Sequence, residues 1–266
     1  MTYSWNIPGE ISGMNKKIKQ VLKGIYALWY REYKVFLREK SRVIASVFLP
    51  LFWYFIFGNG VGSIASTQSD YKHFIFPGFL AMTVIFSALF NGAYIVWDKK
   101  MDFLKEVLIA PLSRTTVFVG KVIGGTTDSL LQAYILLVIG IFLGIPFTAG
   151  SFILTAFILF YFTIGLVGLG LIVGSFMESP EGYGLISSFI IYPLFLLSGA
   201  LYPLDNLPGW MKILTRLDPA TYAVDALRNV MIGASTWPLM TNLGIITVFN
   251  IVLIIIGTWA FNRMKL

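Results

Sequence analysis

Six apolar segments follow one another between residues 43 and 261, each near the length of one bilayer crossing. They are read at 43–61, 74–97, 117–144, 152–175, 183–202 and 239–261. A hydrocarbon core needs roughly 20 mostly apolar residues per helical span. The pattern therefore predicts an all-α integral membrane protein with six transmembrane helices. It predicts two parts: a cytoplasmic N-terminus at 1–42 and a six-span membrane domain at 43–266.

Shorter patterns fill in the rest. Residues 1–15 are polar and are expected to have little order. From Lys16, apolar residues recur at three- and four-residue steps through Ile18, Val21, Leu22, Ile25, Trp29, Tyr33 and Phe36, with Lys and Arg on much of the other face. This predicts an amphipathic helix in the membrane interface, with Lys23, Trp29, Arg31 and Tyr33 as its contact residues. The alternative is a plain continuation of span one, disfavoured because nine cations enter a bilayer only at high cost. Between spans five and six, Leu204, Leu207, Trp210, Met211, Leu214 and Leu217 have nearly helical spacing. Asp218-Pro219 is then a helix start and Gly233 a stop. Two short amphipathic helices are expected there, re-entering the outer leaflet or packing on the outer ends of the spans. Span four carries Gly165, Gly168, Gly170 and Gly174, small residues that allow close helix approach; packing within the chain is the preferred reading over a dimer face.

Composition sharpens this. Charged residues are 12% of the chain, about half the usual soluble fraction, and hydrophobic residues are 57%. Of 20 Lys and Arg, nine lie in residues 1–42, five between Lys99 and Lys121 and two in the tail, leaving Lys72, Lys212, Arg216 and Arg228 on the other side. That asymmetry places both termini in the cytoplasm and directs the net charge of +7 to anionic lipid and a cytoplasmic partner rather than nucleic acid. No cleavable signal peptide is expected. The absence of cysteine excludes disulfides and thiolate metal sites. The lone histidine, His73, is expected in a loop with no second metal ligand.

Candidate chemistry is sparse. Gly120-Lys121 is followed by Val122 and lacks the upstream glycine of a phosphate loop, so no ATP site is recognised; there is no HExxH or GxSxG. Two ionisable residues fall in span three, Lys121 and Asp128. Intramembrane charges are functional candidates. Lys121 is within reach of the interface by snorkelling. Asp128 is read as polar glue among Thr126, Thr127 and Ser129, or as a transport residue. The loop after span two, 97–111, reads as a short amphipathic helix closed by Pro111, suited to docking in a partner's groove.

The residues from Glu106 through Leu108-Ile109-Ala110-Pro111-Leu112-Ser113-Arg114 to Gly120-Lys121 resemble the E…LL…P[LV]SR…GK segment of ABC-2 type transporter permeases. A second landmark is similar too: Leu197-Ser198-Gly199-Ala200-Leu201-Tyr202-Pro203-Leu204, Leu207-Pro208, then Asp218-Pro219, Tyr222 and Asp225-Ala226-Leu227-Arg228. The resemblance is closest to the drug-resistance and nodulation-factor branches; Asp218 stands where that family usually has Asn. It implies an inner-membrane half-transporter, in which two copies of this permease pair with two copies of a separate ATPase that carries the ATP and Mg. Segment 98–111 would be the coupling helix, with Asp98, Asp102, Leu104, Glu106, Leu108, Pro111 and Arg114 meeting the ATPase. Substrate would pass between permeases, with Phe52, Trp53, Phe86 and Phe90 as candidate pathway aromatics and core packing as their alternative reading. The expected cargo is an amphiphile such as a drug or lipid-linked molecule; export of a polysaccharide or lipo-oligosaccharide, or an ATP-independent ion-coupled carrier, are the alternatives.

Overall fold

The computed structural model describes residues 9–62, 68–101, 112–205 and 207–264. Among them are nine α-helices and no strand: α1 Gly9–Arg38, α2 Lys40–Gly60, α3 Gln68–Lys100, α4 Arg114–Phe142, α5 Ala149–Phe176, α6 Pro180–Leu197, α7 Gly209–Leu217, α8 Pro219–Ile232 and α9 Leu239–Arg263. Six are long and apolar enough to cross a membrane: α2, Tyr71–Lys100 of α3, α4, α5, α6 and α9. The protein is thus an all-α integral membrane protein.

Local chemistry sets the boundaries. Ser113, Thr148 and Ser179 each accept a backbone N–H at the starts of α4, α5 and α6, filling donors a helix cannot satisfy itself. The fifth span ends at Leu197 rather than at Tyr202 because Gly199 turns into the left-handed region at φ 72°. Helix α1 begins at Gly9, within the stretch expected to lack order. It stops at Arg38, and Glu39, with φ −91° and ψ 60°, separates it from α2. The interface helix is therefore distinct from span one. His73 lies in α3, which starts at Gln68, rather than in a loop.

Helix α3 is the hub, packing against α5, α4, α2, α6 and α8. Seventy-eight per cent of its apolar window is buried, against 17% for α2 and 22% for α6 and α9, so these three are peripheral. The α3–α5 contact is nearly backbone to backbone. A methyl group on Gly92 would collide with the Gly170 carbonyl, and one on Gly174 with the Gly92 carbonyl. Gly165 meets Asn250 and Phe249 of α9. The small residues of span four therefore serve packing within the chain.

At the end away from the termini, α8 sits almost wholly buried against α3, α5, α6 and α9, while α7 leaves Trp210, Ile213 and Leu217 exposed. Asp218 accepts the Ala220 N–H at 2.8 Å, Pro219 opens the helix and Gly233 closes it at φ 70°. The Asp225 carboxylate accepts the N–H groups of Thr236 and Trp237 at 2.7 and 3.1 Å and Asn242 Nδ2 at 2.8 Å. Arg228 donates to the Gly199 carbonyl at 2.9 Å and stacks 3.8 Å from the Phe74 ring centroid. Burial pulls Arg228 down to about 10, against the charge of Asp225.

Candidate functional site: an ionic junction at the basic end

Helix α1 turns the stripe Gly24, Leu28, Glu32 and Phe36 inward, an i, i+4 series on one face. It packs along α4. Small residues there bring the helices together: a methyl on Gly120 would lie 2.8 Å from Leu28 Cδ1, and one on Gly124 2.8 Å from Glu32 Cβ. The apolar pattern read from the sequence overlaps that face only in part: Ile18, Val21 and Leu22 are exposed, Ile25, Trp29 and Tyr33 are half-buried and Phe36 is buried. That leaves one face against the bundle and one exposed.

Four charges meet where α1, α3 and α4 converge. Lys121 Nζ donates to Asp98 Oδ2 at 2.6 Å and to Glu32 Oε1 at 3.0 Å. Arg31 donates from Nη2 to Asp98 Oδ1 at 2.8 Å and from Nη1 to Glu32 Oε1 at 2.9 Å. Two cations and two carboxylates make a neutral set, which is how buried charge becomes tolerable. Burial opposes the charge of Arg31, but its bonds to Asp98 and the charges of Asp98 and Glu32 outweigh that and hold it above its ordinary value. Beside the set, Trp29 Nε1 donates to Thr127 Oγ1 at 3.0 Å and its ring stacks on Tyr33. Tyr94 of α3 donates to Glu39, and Arg42 donates to Tyr94 at 2.9 Å and Asn91 at 3.3 Å.

Two further cations close helix ends. Lys99 donates to the carbonyls of Gly174, Ser175 and Met177 at the end of α5. Arg114 donates to those of Phe261, Asn262 and Met264 at the end of α9. Cations there offset the negative end of the helix dipole.

Of the expected coupling residues, Asp98 belongs to the junction and Arg114 holds α9. Asp102, Leu104, Glu106, Leu108 and Pro111 lie outside the described residues. Arg31 is in the junction, and Lys23 is exposed on α1. Lys121 does not snorkel: it is 4% exposed and held by two acids. Asp128 is buried, but of its expected hydroxyl partners Thr127 bonds to Ile123 and Trp29, Ser129 to Ser87 and Asn91, and Thr126 Oγ1 has no partner among the described residues. Phe52, Trp53 and Phe90 are exposed rather than part of the core, and Phe86 meets Tyr192 edge-on. Glu32 went unrecognised; its one signal is an acid at i+4 from Leu28 and i−4 from Phe36 among cations.

A polytopic helical membrane protein with an amphipathic helix latched by charge onto its spans is the class these features define. The ABC-2 type transporter family model matches residues 23–232, and the chain belongs to that family. It is similar to the inner membrane transport permease YadH of Escherichia coli strain K12, 29% identical over 227 residues that cover 84% of this chain and 88% of that protein. The putative transport permease ycf38 of Cyanophora paradoxa is 29% identical over 231 residues, 82% of this chain and 78% of that one. The probable multidrug ABC transporter permease YbhR of Escherichia coli strain K12 is 31% identical over 182 residues, 64% of this chain and 49% of that protein. The chain is thus a multi-pass transport permease of the ABC-2 family.

Proposed function

We propose that this chain is the transmembrane subunit of an exporter that moves an amphiphilic substrate outward, driven by a separate ATPase carrying ATP and Mg. The basic end faces the cytoplasm, and with it both termini. Two permeases and two ATPases form the assembly. The supporting observation is the ionic junction. Residues 98–111, the proposed ATPase-docking segment, lead from Asp98 at the end of α3 toward α4 and Lys121. A push on that segment reaches α1, α3 and α4 through four paired side chains. The exposed apolar faces of α2 and α6, with Phe48, Phe52, Leu185 and Phe189, fit a second copy of the chain. An amphiphile is favoured over a sugar because two of the outer aromatics are occupied: Tyr222 packs on Trp237 with ring centroids 5.1 Å apart.

The test is purification of the chain from its native membrane with vanadate-sensitive ATP hydrolysis measured on the eluate. A stoichiometric ATPase with that activity is the expected result. A chain that purifies alone without nucleotide dependence overturns the reading in favour of an ion-coupled carrier.

A further inference from the structure

A cavity of about 450 Å³ opens between α2, α3 and α4 within a single subunit, inside the roughly 300–1,000 Å³ range of small-molecule sites. It runs from Glu39, Ser41 and Arg42 at the basic end to Leu49 and Pro50, midway along α2. Its walls are apolar, with Ala45, Leu49, Phe86 and Phe90, and Gln132 of α4 also lines it.

The side-chain atoms left without a partner toward its deep end are acceptor oxygens. Gln132 is 0% exposed and its Oε1 has no partner among the described residues. Its orientation is fixed, because its Nε2 donates at 3.1 Å to the Asp128 carbonyl, which only accepts. On the facing helix, Pro50 has no N–H to give the Ser46 carbonyl one turn back, and Ser46 lines the same cavity. One turn from Gln132 toward the basic end, Asp128 keeps an Oδ1 oxygen without a partner among the described residues. A buried acceptor left unmatched is costly. A cavity with an apolar body and unmatched acceptors at its end suits a ligand with an apolar body and a head rich in donors. Ammonium is such a donor, and a buried cation also needs a carboxyl group nearby. An ionised phosphate or carboxylate headgroup brings no donor and leaves these oxygens unmatched. Arg42 is turned toward α3, on Tyr94 and Asn91.

We propose that this cavity binds an amphiphilic amine drawn from the leaflet at the basic end, its chain against Phe86 and Phe90 and its N–H groups on Gln132 and Ser46. The cavity is walled by helices of one chain and shares Phe86 and Phe90 with the aromatics expected along the pathway. Its placement at the cytoplasmic leaflet rests on the orientation proposed above.

Binding of radiolabelled dodecylamine to the full chain in phosphatidylcholine nanodiscs tests this, with protein-free nanodiscs subtracted and dodecyltrimethylammonium as competitor. The competitor keeps chain and charge and has no N–H. Saturable binding of one amine per chain is expected, with the competitor roughly tenfold weaker and Gln132→Leu weakening the amine roughly tenfold. Ala45→Phe, which fills the cavity from the opposite wall, should abolish binding. Unsaturable binding, an equally effective competitor, or binding unchanged in Ala45→Phe overturns the site. Should Gln132→Leu fail to fold, the competitor on the unaltered chain and Ala45→Phe still decide. The permease is assayed alone, so a negative result leaves the ATPase reading standing, and failure to recover an ATPase leaves the amine site standing.

Discussion

The two ends of the bundle solve the same problem differently. Both bury charge, and burying charge is expensive unless it is matched. At the basic end charge is matched with charge: Arg31 and Lys121 against Glu32 and Asp98, on three helices. At the other end the described partners of Asp225 are two backbone N–H groups and one amide, and those of Arg228 are carbonyls and an aromatic face. Paired side chains can exchange partners as helices shift, because each long chain has rotamers to spare. Backbone groups cannot follow in that way. The junction is built as a joint and the cap as a plug.

The largest effect should come from the plug. Asp225→Ala strands two backbone N–H groups and Asn242, so a loss of about 5 kcal/mol is expected from three charge-assisted bonds. Thermal unfolding in nanodiscs reads it, and a transition within a degree of the parent's would show that the cap does not need its clasp. Lys121→Met should cost about 3 kcal/mol, because it leaves Glu32 and Asp98 facing each other. Adding Glu32→Gln should return most of that, since Arg31 and Asp98 still balance. A double variant no more stable than the single would mean that the junction is not an exchangeable set.

A smaller effect depends on pH. Burial pushes Asp218 up to about 8, against its bonds to Ala220 and Thr221. Its folded value lies above its unfolded one, so its contribution is fully present below about pH 4 and is lost as pH rises through 8. The unaltered chain should lose stability between about pH 4 and 8, and Asp218→Asn should flatten that slope; parallel slopes would contradict it. The gentlest test labels each end with an impermeant thiol reagent, on a chain with no native cysteine. Ala234→Cys should react from outside intact cells and Lys23→Cys should not. The opposite result would exchange the faces of joint and plug.

The spans were legible because a bilayer demands long apolar runs, and α8 because Asp218-Pro219 and Gly233 punctuate it. The junction was not. Glu32 sits among lysines and arginines and reads as part of a solvated face. Lys121 pairs with a residue 89 positions away, which no local pattern reports, so its snorkelling looked sufficient. The cavity was hidden for the same reason: Pro50 and Gln132 belong to separate spans, and only their meeting gives either a chemical meaning. Asp128 stood out as a charge, yet of the residues expected around it Thr127 and Ser129 are engaged elsewhere.

The burial of α8 also governs how the molecule can be made. Its socket is walled by α3 and α5, which leave the ribosome first, and by α9, which leaves last. Until residue 232 has been synthesised, the earlier spans stand in the bilayer with that socket open, and until α9 follows one wall of it is missing. Insertion of the spans and completion of the fold are therefore separate events in biogenesis, and a chain cut short before α9 would be a membrane protein without a finished interior.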